Sequence, residues 1–118
     1  MVASVSLSTH VLDAALGRPA RDVPVVLFRL APEGWTRCAG GLTDADGRLR
    51  PADDEGSEVA LESGIYRLDF DTRAYFSATG QVGFYPQVSV TFEVTDPGAH
   101  HHVPLLLSPF AYSTYRGS

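Results

Sequence analysis

The chain has 118 residues, 44% of them hydrophobic, and a formal net charge of -5 at neutral pH. That length supports one hydrophobic core and a single domain over residues 1–118, and no apolar run approaches the ~18 residues of a membrane-spanning helix. The acidic balance excludes an ordinary nucleic-acid binder, which neutralises phosphate with basic patches.

The elements follow in chain order. Val5 to Leu12 alternates as a strand, with Ser8, His10 and Leu12 on one face and Leu7, Thr9 and Val11 on the other. The turn Leu16-Gly17-Arg18-Pro19 leads to a strand over Pro24 to Leu30, rich in β-branched and aromatic residues. Ala31-Pro32-Glu33-Gly34 turns the chain into a strand over Trp35 to Leu42, and Asp44-Ala45-Asp46-Gly47 launches an extended segment carrying Arg48 and Arg50. The acidic stretch Asp53 to Glu62 reads as a solvated loop leading to an edge strand. In the strand Ile65 to Phe70 the apolar face is Tyr66, Leu68 and Phe70. Asp71 to Thr79 suits a short helix with Asp71 or Thr72 as N-cap.

Val88, Val90, Phe92 and Val94 then form the apolar face of a half-buried strand. After the turn Thr95-Asp96-Pro97-Gly98 come strands over Val103 to Leu107 and Ala111 to Tyr115. Seven or eight short strands separated by turn signals describe an all-β sandwich. The end, Tyr115-Arg116-Gly117-Ser118, follows apolar and aromatic stretches that should hold it down, so it can take part in a site.

Candidate chemistry is sparse. His10 alone reads first as a strand histidine hydrogen-bonded at a sheet surface, and any one of His100, His101 and His102 could serve as a proton carrier near neutral pH. His100 and His102 share a face, with His101 opposite. Their spacing could grip a metal, but no carboxylate or thiolate companion stands at suitable spacing, and a solvated strand start is the plainer reading. All nine basic residues are arginine, for which a coding bias is explanation enough at most positions. No nucleophile elbow, phosphate-cradling loop, Cys-x-x-Cys or His-Glu-x-x-His occurs. The single cysteine, Cys38, leaves no internal disulfide and suits a reducing compartment. With no secretory leader in Met1 to Ser8 and no peroxisomal ending, a bacterial cytoplasm is the expected location.

Four segments together resemble the transthyretin-related 5-hydroxyisourate hydrolases. They are Leu7-Ser8-Thr9-His10-Val11-Leu12-Asp13 with Gly17-Arg18-Pro19-Ala20; Thr43-Asp44-Ala45-Asp46-Gly47-Arg48; Phe84-Tyr85-Pro86; and His102-Val103-Pro104-Leu105-Leu106-Leu107-Ser108-Pro109 through Tyr115-Arg116-Gly117-Ser118. The resemblance implies a transthyretin-like sandwich of two four-stranded sheets with one short helix. It implies a homotetramer, a dimer of dimers, with sites at the dimer–dimer interface. It also implies hydrolysis of 5-hydroxyisourate without metal or cofactor, with His10, Arg48 and His102 catalytic and Tyr115 and Ser118 contacting the substrate. Arg50 has no counterpart in the motif. His101 stands where the family commonly has tyrosine, and alternation points it away from the pocket. The alternative is a non-catalytic small-molecule carrier of transthyretin type, though transthyretin itself lacks the His, Arg, His set and the Tyr-Arg-Gly-Ser ending.

Overall fold

The computed structural model describes residues 7–118. The elements are β1 (Leu7–Asp13), β2 (Arg18–Pro19), β3 (Pro24–Ala31), β4 (Gly34–Leu42), β5 (Arg48–Leu49), β6 (Gly64–Phe70), α1 (Thr72–Ala78), β7 (Val88–Val94), β8 (His101–Ser108) and β9 (Ala111–Thr114). The first predicted strand is therefore present from Leu7 onward, while Val5 and Ser6 lie outside the described residues.

Two sheets face each other. One runs β4-β3-β6-β7, entirely antiparallel. The other runs β2-β1-β8-β9, with β5 also pairing β1. The expected two-sheet sandwich is present, with five strands rather than four in the second sheet. The two-residue strands β2 and β5 divide one edge of β1 between them: Leu12 and Asp13 pair with β2, and Thr9 and His10 with β5.

Alternation decides what the core contains. On β1, Leu7, Thr9, Val11 and Asp13 are buried, while Ser8, His10 and Leu12 stay partly accessible on the outer face. Tyr66, Leu68 and Phe70 of β6 and Leu105 and Leu107 of β8 fill the space between the sheets, with Leu27 and Val88 beside them. Burying each such side chain stabilises the fold by roughly 1.5–3 kcal/mol. Among the described residues the single parallel pairing, β1 with β8, joins segments 94 residues apart in register, Leu7 opposite His101 through Asp13 opposite Leu107. The buried Thr9 hydroxyl reinforces it, donating to the Val103 carbonyl at 2.6 Å.

Helix α1 is N-capped by Asp71, whose carboxylate accepts from the Ala74 N–H at 3.0 Å. One expectation needs correction. The acidic segment leads into β6, which is a central strand flanked by β3 and β7, not an edge. Just before that segment, Ala52 is tied to β4 by backbone hydrogen bonds exchanged with Gly40 at 3.0 and 3.2 Å, and within it Leu61 is buried. Acidic composition identified a solvated loop but carries no information about the neighbours of the strand that follows it.

Candidate active site

The outer face of the five-stranded sheet collects the polar residues. His10 on β1 lies directly opposite Arg48 on β5. On the other side of β1, Ser8 lies opposite His102 on β8, and His10 opposite Pro104. Because side chains of paired residues point to the same face, His10, Arg48 and His102 project together from three adjacent strands.

Arg48 is held by the turn before it. The Asp44 carboxylate accepts backbone N–H bonds from Asp46 at 2.9 Å and Arg48 at 3.0 Å, and the Asp44 N–H donates to the Arg48 carbonyl at 2.9 Å. The N–H of Arg48 is the main influence holding the Asp44 carboxyl below its ordinary range. Gly47 closes the turn at φ 76°, where a Cβ would overlap the Val11 carbonyl, so the position needs glycine. The same turn fixes His10. Its Nε2 lies 2.8 Å from the Asp46 carbonyl, which can only accept, so the proton sits on Nε2 and a neutral ring has its lone pair at Nδ1.

His102 is half-buried, and burial is the first cause depressing its pKa, with the charges of His100, Arg48 and His10 adding to it. Its Nδ1 lies 2.7 Å from the Ser8 hydroxyl, which also lies 2.9 Å from His100 Nε2. On the far side, the tail returns along β8. The Gly117 N–H donates to the His102 carbonyl at 2.9 Å, and a Cβ at Gly117 would overlap the His102 ring. The expected anchoring of the chain's end is thus seen at Gly117.

Tyr115 lines a concavity of about 240 Å³ together with His101, His102, Thr114 and Arg116, and Ser118 follows Gly117 as an exposed residue. Arg48 and Ser8 line a second concavity of about 430 Å³ on the other side. Arg50 lines it too, but reaches Glu58 at 3.4 Å and remains largely solvated. His101 is buried, with its Nδ1–H donating to the Ala99 carbonyl at 2.9 Å, and lies on the opposite side of β8 from His102 as alternation requires. Sequence reasoning gave Ser8 no role and weighed His100 only as a partner of His102 in gripping a metal or as one of three candidate proton carriers. Alternation already put Ser8 on the face of His10 and His100 on the face of His102. The missing signal was the register between β1 and β8, which no local pattern encodes.

This arrangement of an imidazole facing a guanidinium, with a second imidazole one strand away, lies in a chain with close relatives of known name. The chain is 44% identical over 112 residues to the 5-hydroxyisourate hydrolase of Salmonella dublin, covering 95% of this chain and 80% of the relative. It superimposes on the structure of Klebsiella pneumoniae 5-hydroxyisourate hydrolase with a TM-score of 0.82 and 34% identity, covering 97% of this chain and 99% of that one. The transthyretin of Sparus aurata also matches, with a TM-score of 0.82, 33% identity and coverage of 94% and 95%. The family model described as "HIUase/Transthyretin family" matches residues 7–117, and the chain belongs to that family.

Proposed function

We propose that this protein is a hydrolase that opens the ring of 5-hydroxyisourate to give 2-oxo-4-hydroxy-4-carboxy-5-ureidoimidazoline in urate breakdown. Its fold is shared equally with a transthyretin, so fold alone does not separate enzyme from carrier. The register that sets His10 opposite Arg48, with His102 on the neighbouring strand and the same face, carries the reading.

Water adds to a ring carbonyl carbon, the amide C–N bond breaks, and the departing nitrogen takes a proton. Two imidazoles near neutrality can remove the proton from water and return one to nitrogen. His102 suits the first task, because a depressed pKa keeps it neutral at the pH of the reaction. His10, with its proton directed to Asp46, offers Nδ1 to water or substrate. Arg48 binds a urate-like edge through its planar fork and stabilises the oxyanion as it develops. Tyr115 and Ser118 contact the substrate from the tail. No cofactor is needed, since water is the only co-reactant.

The site face is open in a single chain, and Phe110, Tyr112, Val82 and Phe84 leave apolar surface exposed near the β8–β9 turn. Such patches mark interfaces. A homotetramer, a dimer of dimers that closes the site between subunits, completes the proposal, as does a bacterial cytoplasmic setting, supported by the bacterial relatives.

The deciding experiment follows the absorbance of freshly generated 5-hydroxyisourate, which decays slowly by itself. Rapid, protein-dependent disappearance is expected. Decay at the spontaneous rate would overturn the hydrolase reading and favour the carrier.

A further inference from the structure

Ser8 occupies a position that the chemistry above leaves unused. Its Oγ lies 2.7 Å from His102 Nδ1 and 2.9 Å from His100 Nε2, and the two rings lie nearly parallel, 6.3 Å apart at 19°. A serine hydroxyl has one proton. Between two neutral imidazoles it donates to one and must accept from the other. The tautomers of His100 and His102 are therefore tied together. When Ser8 donates to His100 Nε2, His102 carries its proton on Nδ1 and presents a bare lone pair at Nε2. When Ser8 donates to His102, that lone pair is lost.

We propose that Ser8 is a positioning residue that holds His102 as a base at Nε2 and passes its surplus proton on to His100. As the water oxygen bonds to the carbonyl carbon, its proton moves to His102 Nε2. The Nδ1 proton of His102 then moves to Ser8 Oγ, and the original Ser8 proton moves to His100 Nε2. His102 ends neutral with a proton at Nε2, ready for the departing nitrogen, and His100 ends as the imidazolium. The reverse shift restores the starting state.

The direction of transfer follows from solvation. His102 is half-buried, and burial first, then His100 on its own strand approach, Arg48 on β5 and His10 on β1, oppose a positive charge there, while Glu93 and Arg116 line the same concavity with opposite charges. His100 is exposed, so a charge placed there is better solvated. A hydroxyl bridge moves the charge from the poorer site to the better one without moving a ring.

This rests on the hydrolase reading for its kinetics, but not for its hydrogen bonds, and the test separates the two. Ser8→Ala, Ser8→Thr and the exposed-site variant His100→Ala are compared with the parent protein by steady-state kinetics across pH and by nitrogen-15 NMR of the imidazoles. Ser8→Ala and His100→Ala are expected to lower kcat about 10- to 100-fold, at or below the foot of the ~100- to 10,000-fold scale of general-base catalysis because the base itself remains, with KM within about twofold. His102 should shift from the Nδ1–H form toward the Nε2–H form in both, and Ser8→Thr should restore rate and tautomer. A fall in kcat with an unchanged His102 tautomer would overturn the proposal by showing a merely structural role. So would an unchanged kcat in Ser8→Ala. If the parent protein does not hydrolyse the substrate, the functional reading fails, and the NMR comparison alone still decides the positioning.

Discussion

At Arg48 the backbone and the side chain serve different ends. Its N–H and carbonyl are committed to Asp44, so the guanidinium projects from a fixed base at little further cost in order. Arg48→Ala should leave the fold intact and lower kcat about 100- to 1000-fold, as loss of an oxyanion donor does. Arg48→Lys should recover only a small part, because a point charge cannot replace the planar fork. Gly117→Ala should impair turnover by displacing the His102 ring while thermal stability stays near that of the parent, since the tail is a peripheral bridge. The pH profile has a definite sign. A base works when neutral, so kcat/KM falls as pH drops through its pKa. His102 is depressed, which places the acid limb below the ordinary histidine value of 6.5.

At the scale of elements, Asp13 ties β1 to α1. Burial pushes its carboxyl pKa up, but hydrogen bonds from Tyr75, Leu16, Gln81 and Ala15 outweigh that and hold it below the ordinary value. The Tyr75 hydroxyl donates at 2.6 Å and the Gln81 amide at 3.0 Å. Tyr75→Phe should destabilise the protein by about 1.5–3 kcal/mol at neutral pH, as expected for a bond to a charged acceptor. A folded pKa below the unfolded one stabilises above the unfolded value and is lost as pH falls through the folded one. Chemical denaturation should therefore show the gap between parent and variant closing in acid, below the ordinary carboxyl value of 3.8. The sequence showed Asp13 only as the last residue of a motif, because a carboxylate at a strand end carries no local sign of a partner on the helix. The strands and the helix were more legible. Period-2 patterns such as Tyr66, Leu68 and Phe70 report burial directly, and the Asp71 cap marks the helix start.

The whole molecule exposes apolar surface that one chain has no use for, with Phe110 72% and Phe84 69% accessible. Sedimentation at micromolar concentration should show a tetramer, and Phe110→Glu, at an exposed position, should shift it toward smaller species without unfolding the chain. A monomeric parent protein would contradict this. The site was only partly legible for the same reason that assembly was. His10, Arg48 and His102 entered through resemblance of motifs, while Ser8 and His100 entered through a pairing of segments that periodicity does not report.

That pairing shapes how the protein comes into being. β1 leaves the ribosome long before β8, so its inward face of Leu7, Thr9 and Val11 waits without its parallel neighbour while most of the chain is still being made. Long-range pairings of this kind form late and fold slowly. A nascent chain halted after β7 could assemble the antiparallel sheet, yet it would have no second imidazole and no tail. Catalytic competence would thus wait until β8 and the segment through Gly117 had been made, as one closing event.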